Sequence, residues 1–492
     1  MIKIHNNVIK KQNNFWNHCL FHPTDAIEDP WGKRILDKMA EDKAIKTVRI
    51  YTMFEDIVYL DEDGKICYDF RVSDLRLDYM LEKGYGLLLA YGGMPDCIAL
   101  TTEHKTTCAK NKTRYKGKMW NSAPPKDYAL WEEICYEYTK HNVERYGIDV
   151  VSQWKCQCFN EADVYMFFLS QLPHEAYEER LTEYCKLYEA FERAVRRVSE
   201  DIPIGGPALA EYLEFLGGLL DYIKERNLKI DFISVHNYGT HPGLINNKKR
   251  PITVANNIEK QKAFENVIVE HGFGDTPIII DEWGMATGGF INREECPGLM
   301  CRETEVFSAY FVKLIRAFID AEFKMDSMMI CLTGQHEMLE DFTGFRNFFT
   351  LNFIKKPIYN VYVMASKLGE EFVSSESDDK NIFILPTKTS NGGYAVLLSY
   401  SSEYFEDDLP TLEQKVVFEQ DVSNKTVTVY CIDKEHTNPY RLYQKLGMGE
   451  PSNEELKVLR EEGKLKPLYV QRGGEPLNLH LTSNCVYLIT CE

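Results

Sequence analysis

The sequence predicts an α/β protein in which a (β/α)8 TIM barrel is followed by a β-sandwich domain. Two observations predict this order. Over about the first 350 residues, eight short apolar runs alternate with longer segments of helical periodicity. After about residue 360, short alternating segments separated by turn residues take their place. A doubly wound sheet is the alternative, but no glycine-rich phosphate-binding turn follows an early strand.

The barrel strands are predicted where apolar and β-branched residues cluster without helical spacing. In chain order they are Asn17–Phe21, Lys46–Tyr51, Gly86–Tyr91, Val151–Phe159, Ile202–Ala208, Asp231–Asn237, Pro277–Asp281 and Ser327–Thr333. Eight strand–helix repeats are the number that closes a parallel barrel.

The helices between these strands are predicted from apolar residues at three- and four-residue steps. In the segment 180–198 such residues form one stripe, at Leu181, Tyr184, Leu187, Ala190, Phe191 and Val195. The segments 29–42, 72–84 and 127–147 show similar periodicity. Glycine or proline often marks a segment end, as in EKGYG and DIPIGGP.

The tail is predicted to be mostly β-structure. Its segments NIFILPTKT, GYAVLLSYSS, QKVVFEQDV, KTVTVYCID, NLHLTS and CVYLITC are short and alternate in polarity, as strands of a sandwich do. One helical insert, near 452–463, interrupts them. Ser452 and Glu455 have the spacing of a capping box at its start.

Composition narrows the class of partner. The chain has 492 residues, with 57 Lys and Arg against 75 Asp and Glu, for a formal net charge of −18. Such an acidic surface disfavours nucleic acid and anionic membranes, and it leaves sugars, peptides and neutral small molecules. The N-terminus lacks the apolar core of a signal peptide, so we expect a cytoplasmic protein.

Cysteine usage fits that location. The chain has 14 cysteines without a secretory signal, which indicates reduced thiols. Cys156 and Cys158 form a C-x-C pair that no second pair complements at metal-ligand spacing. We therefore expect buried structural thiols there.

Two glutamates follow predicted barrel strands directly. Glu161 comes after the fourth strand and Glu282 after the seventh. Barrel enzymes carry their chemistry at the C-terminal ends of strands, where neighbours can tune the pKa of a carboxyl group. Two carboxyls facing each other suit glycoside hydrolysis, because one protonates the leaving oxygen while the other attacks or stabilises the oxocarbenium-like centre. The alternative is that each glutamate is a surface charge.

Four residues on strands two and six are candidates for supporting these carboxyls. His236 and Tyr238 are two positions apart and therefore share a face at the end of strand six. Arg49 and Tyr51 end strand two in the same way. A structural histidine at 236 and a barrel-wall ion pair at Arg49 are the alternatives.

The two carboxyls need opposite environments if one is an acid and the other a nucleophile. We expect apolar surroundings and the charge of Glu282 to raise the pKa of Glu161. We expect Tyr238 and Arg49 to keep Glu282 ionised.

Three further residues are candidates for binding substrate. Asn160 precedes the first glutamate and can hydrogen-bond a sugar hydroxyl. Trp283 follows the second glutamate. Glu337 lies in the loop after strand eight, together with His336 and Asn347.

Blocks along nearly the whole chain resemble glycoside hydrolase family 39, the β-xylosidases and α-L-iduronidases of the retaining (β/α)8 clan. These blocks are FWNHCLFHP, PPKDYALWEE, ERYGIDVVSQWKCQCFNEAD, IGGPALA, DFISVHNYG, TPIIIDEWG and, in the tail, NPYRLYQKLGMGEPSNEELKVLREEG. The resemblance implies a double displacement with Glu161 as acid/base and Glu282 as nucleophile. It also implies that the first residues add a strand to the sandwich. The predicted domains are therefore 15–355, the barrel, and 1–14 with 356–492, the accessory sandwich.

The chain departs from the family pattern at three positions. Ala162 replaces the proline of an Asn-Glu-Pro motif, Tyr51 stands where β-xylosidases of the family carry histidine, and Cys331 where they carry tryptophan. The resemblance implies that the last two positions line the subsite for the cleaved sugar, so they bear on which sugar is bound. An α-L-iduronidase should present cations to the uronate carboxylate, for which Arg346 and Arg49 are the candidates.

The sequence thus predicts a retaining exo-glycosidase acting on short, imported oligosaccharides, and first of all a β-xylosidase-like enzyme. The alternatives are another specificity within the family (α-L-arabinofuranosidase, β-glucosidase or β-galactosidase, α-L-iduronidase), transglycosylation, or a non-catalytic carbohydrate-binding barrel. The mechanism requires no metal and no organic cofactor. The expected partner is a small oligosaccharide or glycoside, not nucleic acid or membrane, and the resemblance suggests a homo-oligomer.

Overall fold

Eight parallel strands close into a barrel, which confirms the predicted barrel class. The computed structural model describes residues 1–21, 30–106, 119–246, 251–333 and 338–492. The barrel strands are His18–Phe21, Thr47–Tyr51, Gly86–Tyr91, Lys155–Cys158, Ile204–Leu209, Phe232–Tyr238, Ile278–Gly284 and Met325–Leu332, and we number them one to eight in this order. Strand eight pairs in parallel with strand one, so the sheet has no free edge.

A long helix follows each barrel strand and covers the outside of the barrel. Within the described ranges these helices are Pro30–Glu41, Arg71–Glu82, Tyr128–Tyr146, Tyr177–Val198, Leu213–Arg226, Ala255–Glu270, Glu305–Asp320 and Pro357–Ala365. Two begin at side-chain caps, because Asp127 accepts from the Ala129 amide and Thr304 from the Val306 amide. Strand four is shorter than predicted, because a helical turn ends at Val151 and residues 152–154 form a turn and a bend before Lys155.

The barrel interior is apolar at its N-terminal side and polar above. Leu88, Phe232, Ile279 and Met329 form a small buried cluster inside the barrel. Further along these strands the inward positions become polar or small, as at Ser234, His236, Asp281 and Cys331. The apolar layer therefore closes the N-terminal side of the barrel, and a polar cavity opens at the C-terminal ends of the strands.

The second sheet has nine strands, described here in their hydrogen-bonded order. They are Pro467–Arg472, Thr426–Ile432, Cys485–Cys491, Tyr394–Tyr400, Ile382–Lys388, Glu371–Ser377, Ile2–Lys11, Leu412–Phe418 and Leu477–Leu481. Val427 and Val429 near one end share one buried cluster with Val416 and Leu479 at the other. The sheet therefore folds over on itself, which fits the predicted sandwich.

The sandwich packs on the barrel mainly through one helix. The outer face of the sheet, including Leu397 and Leu488, joins the same buried cluster as Phe311 of the helix Glu305–Asp320. The helix Pro357–Ala365, which the predicted boundary assigns to the sandwich, packs against that same barrel helix. The domain boundaries themselves stay a prediction.

Two helices lie between the strands of the sandwich, Pro439–Lys445 and Asn453–Glu462. The second begins at Ser452, whose hydroxyl accepts from the Glu455 amide while the Glu455 carboxylate accepts from the Ser452 amide. Across the described part of the chain, no helix is both long and apolar enough to cross a lipid bilayer.

Candidate active site

Glu161 and Glu282 both lie at the polar mouth of the barrel. Glu282 is part of strand seven, and Glu161 lies three residues beyond the end of strand four. Phe159 and Glu161 have left-handed backbone conformations, with φ of 62° and 45°. Such conformations cost free energy in residues other than glycine and concentrate at functional sites.

The two carboxyls lie close enough to share one substrate bond. A carboxylate oxygen of Glu161, one of Glu282 and a ring nitrogen of His236 all lie within 4.8 Å of one another. Retaining glycosidases hold their carboxyls about 5–5.5 Å apart, whereas inverting ones leave about 6.5–9.5 Å for a water molecule. The spacing of at most 4.8 Å lies nearer to the first of these values than to the second.

Three donors converge on Glu282. The Tyr238 hydroxyl donates to Oε2 at 2.7 Å, and Arg49 Nη1 donates to Oε1 at 2.9 Å. The Tyr51 hydroxyl lies 3.3 Å from the same Oε1. Burial opposes ionisation, but His236, Arg49 and other donors outweigh it and lower the pKa of Glu282 to about 2. Glu282 is therefore ionised at neutral pH, as a nucleophile requires.

Glu161 has the opposite environment. Its burial and the negative charges of Glu282 and Asp163 raise the pKa of Glu161, and His236 opposes that rise. One oxygen, Oε1, lies 2.6 Å from Nδ1 of His236. A carboxyl with a raised pKa beside an ionised carboxylate can act as a general acid.

His236 links the two glutamates. Burial disfavours its charged form, but Glu282, Asp281 and Glu161 outweigh burial and raise its pKa to about 10. Its Nε2 lies 3.5 Å from Asp281 Oδ2 and 3.8 Å from Glu282 Oε1. The ring is therefore a cation among three carboxyl groups at neutral pH.

A β-bulge places two consecutive acids inside the barrel. Between strands six and seven, Val235 pairs with Ile280 and His236 with Glu282, so Asp281 is an extra residue. Without the bulge, neighbouring residues would point to opposite faces of the strand. Both carboxylates reach Arg49, whose Nη2 lies 3.0 Å from Asp281.

Asp281 and Gln157 are site residues that the sequence analysis missed. Gln157 Nε2 donates to Asp281 Oδ2 at 2.7 Å, and Gln157 Oε1 accepts from Arg49 Nε at 3.1 Å. Both side chains are fully buried. The available signal was a polar residue inside an apolar barrel strand, in IIIDE and in KCQC.

Besides Arg49, Tyr51, His236 and Tyr238, the sequence analysis offered three candidates for binding substrate, and of these Asn160 lies at the site whereas Trp283 does not. Asn160 is buried, and its Oδ1 accepts from Arg49 Nη2 at 2.7 Å. Trp283 lies on the outer side of strand seven, where its ring stacks on Phe311 and its Nε1 donates to the Tyr362 hydroxyl. Glu337, like His336, lies outside the described residues.

Trp283 is expected to contribute to stability rather than to substrate binding. We expect Trp283→Phe to lower the free energy of unfolding by about 1–3 kcal/mol, because a fully buried ring loses volume and a hydrogen bond. The KM of the folded variant should stay within about twofold of the parent. Chemical denaturation and initial rates measure the two quantities, and a large rise in KM at unchanged stability would contradict this placement.

Aromatic and sulfur side chains complete the walls. Trp120, another residue that sequence analysis missed, packs edge-on against Tyr51 at 6.1 Å between ring centroids. Cys331 is buried beside Tyr238 and Glu282, and its burial raises the pKa of its thiol to about 12. The cysteine is therefore a neutral thiol at the position where a larger side chain was expected from the family.

Arg346 adds a further cation to the site, besides Arg49 and His236. Its guanidinium lies over the Tyr238 ring at 4.9 Å, and its Nε donates to the Thr333 hydroxyl at 3.1 Å. Among the described residues, none accepts a hydrogen bond from its two terminal nitrogens. Buried Arg302 holds the neighbouring loop by donating to main-chain carbonyls, among them that of Gly344.

Within the part of the chain that the structure describes, two groups of side chains have the composition of metal ligands. Glu161, His236 and Glu282 form one, and its members are hydrogen-bonded as described above. Cys431, Asp433 and His436 form the other, in the sandwich. There Asp433 Oδ1 accepts from two main-chain amides, including that of His436, and Oδ2 lies 3.4 Å from the Cys431 thiol. These hydrogen bonds show that Asp433 stabilises the turn that contains His436.

Comparisons with known proteins show the family of this chain. The sequence model of Glycosyl hydrolases family 39 matches residues 1–469. A beta-xylosidase from Caldicellulosiruptor saccharolyticus is 26% identical over 478 residues, which cover 94% of this chain and 91% of that protein.

Solved structures share the fold over the whole chain. A monomeric beta-xylosidase from Caulobacter crescentus CB15 has a TM-score of 0.83 at 17% identity, covering 100% of this chain and 99% of that one. A bacterial orthologue of human α-L-iduronidase has a TM-score of 0.78 at 16% identity, covering 100% of this chain and 83% of that one. At such identities the likeness establishes the fold alone.

Proposed function

This chain belongs to glycoside hydrolase family 39 and is a glycosidase, and from that premise we propose that it is a retaining exo-glycosidase acting on short oligosaccharides. The observation that carries the proposal is the pair of carboxyls within 4.8 Å with opposite pKa shifts. Cytoplasmic location and a homo-oligomeric state remain predictions beside it.

The proposed reaction has two displacements. In the first, a Glu282 oxygen bonds to the anomeric carbon as the glycosidic C–O bond breaks, and the departing oxygen takes the proton of Glu161. In the second, Glu161 takes a proton from water, whose oxygen bonds to the anomeric carbon as the bond to Glu282 breaks. Each step inverts the anomeric carbon, so the product retains the starting configuration.

We propose a β-xylosidase-like specificity first, with an α-L-arabinofuranoside as the related pentosyl substrate. The beta-xylosidase of Caldicellulosiruptor saccharolyticus supports it as a relative over nearly the full length. The acidic chain, with a net charge of −18, also suits a neutral sugar.

A second candidate is a glycone that carries a carboxylate, such as an α-L-iduronide. Arg346 supports it, because a guanidinium beside the nucleophile with both terminal nitrogens unused by described residues suits a carboxylate ligand. A neutral sugar can also accept hydrogen bonds from these nitrogens, and substitution of Arg346 distinguishes the two glycones.

Initial rates on aryl glycosides test the function. The panel contains β-D-xyloside, α-L-arabinofuranoside, β-D-glucoside, β-D-galactoside and α-L-iduronide, with Glu282→Ala as the blank. We expect one clear substrate whose turnover is lost in the blank. Proton NMR of the first-formed sugar should show the anomer of the substrate. An inverted anomer contradicts retention, and a silent panel with folded protein contradicts the listed glycones.

Substitution of Arg346 separates the two candidate glycones. If the substrate is a uronide, we expect Arg346→Ala to lower kcat/KM about 10- to 100-fold more for the uronide than for a neutral glycoside, because hydrogen bonds to charged groups contribute about 1.5–3 kcal/mol. Arg346→Lys should recover part of the loss. Equal losses on both substrate types would show that Arg346 acts on Glu282 rather than on the glycone. Arg293→Ala is the control, since Arg293 pairs with Glu340 in a nearby loop.

A further inference from the structure

Asp281 is the most deeply enclosed carboxylate at this site. It is fully buried, and the bulge turns it toward the barrel interior. Its Oδ2 accepts a hydrogen bond from Gln157 Nε2 at 2.7 Å and forms an ion pair with Arg49 Nη2 at 3.0 Å. It also lies 3.5 Å from His236 Nε2, where the two groups form an ion pair without a hydrogen bond. Burying a carboxylate costs free energy of folding, so its presence here needs an explanation. Because Asp281 does not contact the bond that is expected to react, we look for a role other than direct catalysis.

That role concerns His236, which has a carboxyl group on each side. Glu161 lies at Nδ1, and Asp281 and Glu282 lie at Nε2. The nearby cations are Arg49, which binds both acids of strand seven, and Arg346 above Tyr238. Of the carboxylate oxygens around Nε2, that of Asp281 is the nearest.

The protonation of His236 decides what Glu161 can do. If Nδ1 lacks a hydrogen, it accepts the Glu161 proton across 2.6 Å. That proton is then held by the His236 ring and is not available to a substrate. If Nδ1 carries a hydrogen, it donates to Oε1. The proton of the acid form must then lie on Oε2, the oxygen that no described residue engages. Only this second arrangement presents a proton to a substrate.

We propose that Asp281 is a positioning residue: its negative charge beside Nε2 stabilises the imidazolium form of His236, in which both ring nitrogens carry a hydrogen, so that Nδ1 always donates to Glu161. Neutral imidazole carries one ring hydrogen and imidazolium carries two. Asp281 thereby directs the Glu161 proton toward the departing oxygen. The proposal deepens the proposed function and rests on Glu161 as its acid.

Histidine NMR tests the proposal without substrate. In protein labelled with ¹⁵N-histidine, the ring resonances of His236 are assigned by their loss in His236→Asn. We expect an imidazolium at pH 8 in the parent protein, where an ordinary histidine of pKa about 6.5 is neutral. Asp281→Asn should give a neutral ring at the same pH, and Asp281→Glu should retain the imidazolium.

The matched control is Ser234→Ala. Ser234 lies in the same layer and accepts from Gln157 Nε2 at 3.0 Å, but it carries no charge. The control should leave the ring charged. A neutral ring in the folded parent overturns the proposal even if no variant folds, and so does a charged ring in folded Asp281→Asn.

Kinetics provide a second readout once the panel has supplied a substrate. On aryl glycosides of graded leaving-group pKa, we expect Asp281→Asn to lose about 10-fold more kcat/KM on poor leaving groups than on activated ones, because acid assistance contributes about 10²–10⁴-fold. Ser234→Ala should leave that dependence unchanged. Equal losses on all leaving groups would mean that Asp281 only supports the structure, which overturns the proposal. A silent panel bears on the proposed function alone, since the NMR result does not depend on it.

Discussion

Replacing Glu282 with alanine is expected to lower turnover by at least about 10⁴-fold, since no other described carboxylate can take its place at the anomeric carbon. The three donors around Glu282 show what is lost. Tyr238, Arg49 and Tyr51 hold an ionised oxygen pair at one position. In the variant these three side chains are still present, but the nucleophilic carboxylate is missing.

Azide distinguishes loss of the nucleophile from loss of the fold. Small enough to fill the space left by the carboxylate, azide should attack the opposite face from the leaving group and give a glycosyl azide of inverted configuration. Product configuration is read by NMR with an activated aryl glycoside. Glu270→Ala, at an exposed helix end, is the matched control and should keep full activity. Parent-like turnover in Glu282→Ala would refute the assignment of the nucleophile.

Replacing Glu161 with alanine should have an effect that depends on the leaving group. General acid catalysis contributes about 10²–10⁴-fold, so kcat/KM should fall by that amount for poorly departing alcohols and far less for activated phenols. Azide should rescue this variant with retained configuration, because the glycosyl intermediate on Glu282 still forms and azide then replaces water. A uniform loss across leaving groups would argue against Glu161 as the acid.

The pH profile gives the same variant a second test. Glu161 acts as an acid only when protonated, so kcat/KM should decline as pH rises through its raised pKa. Glu282 has a pKa of about 2 and stays ionised above that, so it should not limit the rate between about pH 4 and pH 9. We expect Glu161→Ala to lose the alkaline decline on activated substrates. If kcat/KM of the variant still fell at alkaline pH, that fall would be due to the titration of a group other than Glu161.

Much of the framework could be predicted from the sequence. The alternation of strands and helices indicated a closed eight-stranded barrel, and the structure confirms it. Such patterns depend on the spacing of apolar residues that are close together in the sequence, so they can be recognised without the tertiary structure. The family was likewise predicted from blocks in order, and the match over residues 1–469 confirms it.

The same local reasoning explains where the sequence analysis fell short. Alternation places Trp283 and Glu282 on opposite faces of strand seven, which is what the structure has, although the sequence analysis grouped both at the site. Arg346 was considered only as a cation for a uronate, and the structure brings it over Tyr238 at the mouth. Arg346 lies in the loop after strand eight. The path of a loop is not set by periodic spacing of apolar residues, so its position could not be predicted in this way.

The sequence by itself determined the order of the strands, the two glutamates at their ends and the family. Only the tertiary structure decided that Asp281 joins Glu282 inside the barrel, because the bulge arises from the pairing of strand seven with its neighbours. Only the tertiary structure placed His236 between these acids and Glu161. The physical reason is that the pKa of each group depends on burial and on charges brought near it by strands that are far apart in the chain.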